Sequence, residues 1–205
     1  MIDWQRIVNE LSPTEIAAAV TTLVNVWLLV RGNIWSWAWG AVSVVLYGVV
    51  FYRARLWSST GLQLLYYLPM QFYGWWIWKR KGPTHDDDLP VTRLSTPVRL
   101  TVIASIIPLA WLLGWSMGLL GAEQSQMDAL VTTIGITGLS LQSHKKIEHW
   151  YCWLVVNSVY GFWILPRQEL YVSTLLYWLL LLMAVQGWRA WMHDVARQQA
   201  AIVHS

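Results

Sequence analysis

Seven mostly apolar stretches, at about 13–31, 33–53, 56–78, 99–120, 127–144, 147–166 and 168–191, are separated by short polar segments. Each comes close to the roughly 20 residues that a helix needs to cross a bilayer. The few polar side chains inside them recur at helical spacing. Gln63, Tyr67, Gln71, Gly74 and Trp78 advance by steps of four, four, three and four, and Trp150, Trp153, Asn157, Tyr160 and Ile164 by three, four, three and four. Such steps put each set on one face of a helix. Trp37, Gly40, Ser43 and Tyr47 form a similar face in the second stretch, and Tyr177 and Trp178 lie near the middle of the seventh. An unpaired amide is costly in hydrocarbon, so these faces should point inward. The pattern predicts an all-α integral membrane protein with seven transmembrane helices.

Residues recur along this pattern at a constant offset of 113. Tyr47-Gly48 returns as Tyr160-Gly161, and Gly74-Trp75-x-x-Trp78 as Gly187-Trp188-x-x-Trp191. Trp37 and Trp150, Ile34 and Ile147, and Met70 and Met183 keep the same spacing. A constant offset predicts a duplicated unit: a three-helix bundle over 13–78, a linker and connecting helix over 79–120, and a second three-helix bundle over 127–191. One connecting helix between the halves makes them parallel repeats, a 3+1+3 plan.

Composition supports this class. Of the 205 residues 56% are hydrophobic and only 12% charged, against about 25% charged in soluble domains. Mean hydropathy is +0.40. The first eleven residues are polar and amphipathic rather than basic, which reads as no cleaved signal peptide. Arg6, Arg53, Arg55 and Arg167 fall on one side of the predicted spans. The other ten Lys and Arg, including Arg31, Lys79 to Lys81, Arg93, Arg99, Lys145 and Lys146, fall on the opposite side. The positive-inside rule makes the second side cytoplasmic, with the N-terminus outside and the C-terminus inside. The run Asp86-Asp87-Asp88 in the linker reads as a solvated patch. The net charge of +3 is scattered over loops and gives no nucleic-acid signature. Cys152 is the only cysteine and leaves the redox compartment open.

Little in the chain points to catalysis, a metal or a cofactor. His144 and His149 are five apart and face different ways on a helix. With Glu148 they form a polar cluster at a span end. His85 lies in the linker, His193 and His204 in the tail, and no metalloprotease or Ser/His/Asp spacing occurs. The acids Glu15, Asp128, Glu148 and Glu169 all lie near span ends. Ion-coupled pumps usually carry ionisable residues at mid-depth, so passive transport is the expectation. The mid-depth amides, hydroxyls and phenols would be satisfied either by hydrogen bonds between helices or by a cavity. As a set they predict a polar, aromatic-walled cavity. Most tryptophans fall toward the predicted cytoplasmic ends, with Trp4, Trp57 and Trp163 on the other side. An interfacial belt accounts for many of them, and others would line or close a pathway. Aromatic faces with amides suit a small aromatic solute, neutral or singly cationic. Pro69, mid-way along the third stretch, should kink that helix.

Gly40, Tyr47-Gly48, Gln71 and Gly74-Trp75-Trp76-x-Trp78 resemble the first half of the PnuC nicotinamide riboside transporters. Lys146-x-Glu148-x-Trp150-x-x-Trp153-x-x-x-Asn157 resembles the opening of their second half. The resemblance spans nearly all seven stretches and implies the architecture shared with SWEET sugar transporters. It implies facilitated diffusion of nicotinamide riboside, a vitamin B3 NAD precursor, across the bacterial inner membrane, with a cytosolic kinase trapping the nucleoside by phosphorylation. It also points to a homo-oligomer. Ser43 stands where some relatives would carry Asn. On this reading Asn157, Gln71 and Gln63 would hydrogen-bond the substrate, and Trp153, Tyr67, Tyr160 and Trp37 would flank its pyridinium ring. Trp75, Trp76 and Trp188 would close a cytoplasmic gate. Thiamin or another vitamin or nucleoside is the alternative cargo, and an integral-membrane enzyme built on His144, Glu148 and His149 is the alternative class.

Overall fold

The computed structural model describes residues 13–53, 57–80, 89–119, 126–167 and 171–203, nearly all of them helical. In chain order the elements are α1 (Pro13–Val30), α2 (Trp35–Arg53), α3 (Trp57–Leu62), a π-helical turn π1 (Gln63–Tyr67) and α4 (Leu68–Lys79). Then come α5 (Thr96–Leu119), α6 (Gln126–Ser143), α7 (His149–Val159), a second π-turn π2 (Tyr160–Ile164), α8 (Leu165–Arg167) and α9 (Tyr171–Val203). The acidic run at 86–88, Trp4, His85, His204 and the side chain of Trp57 fall outside the described residues.

Among the described residues, four helices are long and apolar enough to cross a membrane: Pro13–Val30, Trp35–Arg53, Thr96–Ser116 and Ser173–Gln198. The stretches expected at 56–78, 127–144 and 147–166 are helical as well. Inward polar groups dilute α6, whose hydroxyls on Thr133, Thr137 and Ser140 bond back to carbonyls one turn earlier. The other two are divided by π-turns. Large apolar side chains face outward, with Leu65 82%, Ile107 72% and Phe72 66% exposed, while Gln71, Gln142 and Asn157 are buried. That inversion of the water-soluble pattern marks a multi-pass membrane protein.

The π-turns explain how the helices carry proline and polar groups together. The Leu68 N–H donates to the Gln63 carbonyl, five residues back. Pro69 follows at once, where it has no N–H to offer. Pro69, where the sequence predicts a kink, thus lies just after the π-turn that carries Gln63 and Tyr67. Pro108, by contrast, sits inside the unbroken helix α5.

The core gathers at one end of the bundle around Trp37, Trp78, Trp150 and Trp191, each no more than 5% exposed. Trp37 meets Trp78 edge-on at 5.4 Å and 88°, and Trp150 meets Trp191 at 5.6 Å and 88°. A Cβ on Gly74 would fall within the Trp37 ring, and one on Gly187 within the Trp150 ring. The two pairs then touch through Trp78 and Trp191, 6.1 Å apart. The turns ending α1 and α6 also match. Gly32 and Lys145 both take left-handed φ, +64° and +47°. In each turn the following N–H returns to a carbonyl five residues back, from Asn33 to Leu28 and from Lys146 to Leu141.

The segment before α5 is fastened to this end. Thr92 exchanges backbone bonds with Lys145 and Ile147. Glu148 accepts from the Leu94 N–H at 3.1 Å and from Arg99 at 2.8 Å.

Candidate functional site

One cavity of about 390 Å³ opens between the helices above the tryptophan core. That size lies within the roughly 300–1,000 Å³ range of small-molecule sites. Its longest wall is α6, which presents Asp128, Thr132, Gly135, Leu139 and Gln142 at steps of three to four. The fourteen helical steps from Asp128 to Gln142 correspond to roughly 21 Å, so the cavity is elongated.

The two ends differ in chemistry. At the core end, Trp153 donates from Nε1 to the Gln142 Oε1 at 3.0 Å, and Trp150 forms the floor. At the other end, the Tyr160 hydroxyl donates to Asp128 Oδ1 at 3.3 Å, and Tyr160 lies 5.0 Å from Tyr177. Between them α7 brings in Asn157, one turn before Tyr160 and one after Trp153.

The first half supplies the facing wall. Gly40 on α2 leaves a notch that the Gln71 side-chain oxygen fills, with the Asn25 amide beside it. Any side chain at Gly40 would expel Gln71, so this glycine positions two amides at the wall. The π1 turn delivers Gln63 and Tyr67, and the Tyr67 hydroxyl reaches α6 at Gly135. Among the described residues, none hydrogen-bonds the side chains of Gln71 or Asn157, whose amides front the cavity. Thr22 and Ser43, by contrast, share a hydrogen bond with each other.

Six of the seven expected binding residues therefore line one cavity: Asn157, Gln71, Gln63, Trp153, Tyr67 and Tyr160. Trp37 does not. It is 1% exposed and wedged on Gly74, so its repeat position places it in the core. Trp75, Trp76 and Trp188 also stand off the wall. Trp75 packs edge-on against Trp35 at 5.3 Å, Trp76 carries the Arg80 guanidinium 3.5 Å over its ring, and Trp188 donates to the Tyr151 hydroxyl. Asn25, Tyr47, Asp128, Thr132, Gln142 and Trp150 line the cavity without having been singled out as binding residues. The step of three to four along α6 was available to find Asp128, Thr132 and Gln142.

His144, Glu148 and His149 do not converge. His144 pairs with the Tyr73 hydroxyl and the Ser140 carbonyl. Glu148 holds Arg99. His149 donates from Nδ1 to the Lys146 carbonyl, wholly buried beside Trp150 and Trp191.

Residues 12–193 match the nicotinamide mononucleotide transporter family. The chain is 24% identical over 217 residues to the nicotinamide riboside transporter PnuC of Escherichia coli (strain K12), covering 94% of this chain and 90% of that protein. It is 31% identical over 146 residues to the nicotinamide riboside transporter PnuC of Neisseria mucosa, covering 68% of this chain and 55% of the relative. Among solved structures, that of the vitamin B3 transporter PnuC overlays with a TM-score of 0.75 at 26% identity, over 88% of this chain and 81% of that one.

Proposed function

We propose that this chain, which belongs to the nicotinamide mononucleotide transporter family, carries nicotinamide riboside passively across the bacterial inner membrane. The observation that carries the reading is the elongated cavity, with amides on Gln71 and Asn157 that hydrogen-bond none of the described residues and aromatic walls from Trp153, Tyr67 and Tyr160. Amides pair with a carboxamide or ribose, and aromatic faces stack on a pyridinium ring.

The same lining favours the nucleoside over its phosphate. No Lys, Arg or His stands among the described residues on the cavity wall, and Asp128 adds a carboxylate. A phosphate dianion would be desolvated there beside that carboxylate, with no cationic side chain of the described residues to meet it. A cytosolic kinase that phosphorylates the released nucleoside would then keep it inside.

The transport unit is proposed as seven spans in a 3+1+3 parallel, SWEET-like plan, with the N-terminus outside. The matching Trp37–Gly74–Trp78 and Trp150–Gly187–Trp191 clusters and the matching turns at Gly32 and Lys145 support it. Closure at the cytoplasmic end is assigned to the Trp78–Trp191 contact, with Trp75, Trp76 and Trp188 around it. Uniport fits a cavity whose one ionisable acid among the described residues, Asp128, stands at a helix end rather than at mid-depth.

Titration calorimetry on the purified protein tests the substrate. Nicotinamide riboside should bind saturably, and nicotinamide mononucleotide and thiamin at least about tenfold more weakly. Equal or tighter binding of either competitor would refute the assignment.

A further inference from the structure

Asp128 is the one acidic side chain on the cavity wall among the described residues, and the use of a carboxylate there follows from its surroundings. It stands in the first turn of α6, where the helix dipole favours negative charge. Its Oδ1 accepts from Tyr160, whose ring is 5.0 Å from that of Tyr177. Both tyrosines line the cavity with it, and no cationic side chain of the described residues shares that wall. A carboxylate flanked by two aromatic rings, inside a partly desolvated cavity, attracts an organic cation by charge and by ring quadrupole together.

We propose that Asp128, with Tyr160 and Tyr177, forms a cation-selecting subsite at the end of the cavity opposite the tryptophan core, and that it makes the protein prefer an N-substituted pyridinium cation over an uncharged molecule of the same shape. The proposal rests on the transport reading and deepens it. The neutral amides of Asn157 and Gln71 elsewhere on the wall recognise hydrogen-bonding groups, which the charged and uncharged forms share. Asp128 is the one formal charge among the described wall residues that distinguishes them. A structural role for Asp128, as acceptor for Tyr160 only, would not depend on the ligand's charge.

The test uses two ligands that differ in ring charge: nicotinamide riboside, and its reduced dihydropyridine form, which keeps the ribose and carboxamide without the positive charge. Binding of both is measured by calorimetry to the full-length protein and to Asp128→Asn and Asp128→Glu. The unaltered protein should favour the cation by about tenfold or more, Asp128→Asn should erase most of that ratio, and Asp128→Glu should keep it. No preference in the unaltered protein, or an unchanged ratio in Asp128→Asn, or equal loss of both ligands, would overturn the subsite while leaving transport standing. Failure of the unaltered protein to bind either ligand would instead overturn the transport reading, and this inference with it.

Discussion

The six-membered ring of Trp150 lies directly against the bare α-carbon of Gly187. Trp37 makes the same contact with Gly74, 113 positions earlier in both partners. A methyl group at either glycine would have to displace an indole that is 1% exposed and edge-packed on a second one. Gly74→Ala and Gly187→Ala should each destabilise the protein by about 1–3 kcal/mol, the cost of overpacking a filled core. Thermal unfolding in detergent checks this. A melting temperature unchanged in both variants would refute the packing account. Gly187→Ala should also disturb ligand binding, because Trp150 is the floor of the cavity and Trp37 is not.

Lys145 holds the left-handed position that glycine holds in the matching turn at Gly32. A side chain there costs roughly 1–2 kcal/mol. Against this, its ammonium sits 4.5 Å over the Trp78 ring, a contact of about 0.5–2 kcal/mol. Lys145→Ala loses the contact and keeps the strain, whereas Lys145→Gly loses both. The glycine variant should therefore unfold at a higher temperature than the alanine variant, the reverse of their order inside a helix. Alanine at least as stable as glycine would contradict the geometry.

Glu148 fastens the segment before α5 by accepting from Leu94 and Arg99 through one oxygen. The carboxylate side chain is 7% exposed and the arginine 42%, so the pair is only partly shielded. A double-mutant cycle of Glu148→Ala and Arg99→Ala should give a coupling of about 1 kcal/mol in unfolding free energy, and Glu148→Ala alone should cost more than Arg99→Ala. Additive effects would show that the ion pair contributes nothing.

Asn157 and Gln71 present amides to the cavity from opposite halves. Asn157→Ala and Gln71→Ala should each weaken nicotinamide riboside binding by about 1–2 kcal/mol, the loss of one hydrogen bond in a desolvated site. Trp76→Ala, which removes a half-exposed ring away from the wall, should leave affinity within about twofold. Loss of affinity in Trp76→Ala with none in Asn157→Ala would place the site elsewhere.

Much of this is legible in the sequence. Spacing along the third and sixth stretches put Gln63, Tyr67, Gln71, Trp153, Asn157 and Tyr160 on inward faces, because helical periodicity fixes a shared face. It does not fix what that face meets. Trp37 shares a stripe with Ser43 and Tyr47, yet it turns into Gly74 at the end of the helix while they reach the cavity. Asn25 is a lone amide in an apolar helix, and only the notch at Gly40 shows that it stands beside Gln71. By sequence Asp128 is only a span-end acid. Its role at the wall depends on the reach of Tyr160 from the neighbouring helix, which no single-helix pattern contains. The π-turns were likewise invisible, although Pro69 marked the place where one of them falls.

The central claim is passive passage of nicotinamide riboside through this cavity. It is tested most directly by uptake of labelled nicotinamide riboside into proteoliposomes containing the purified protein, with no proton or sodium gradient. With the membrane potential clamped at zero, saturable uptake that stops when inside and outside concentrations are equal, and that accelerates when a nicotinamide riboside kinase and ATP are enclosed, is the predicted result. Absence of saturable uptake, or uptake that appears only when an ion gradient is imposed, would contradict it.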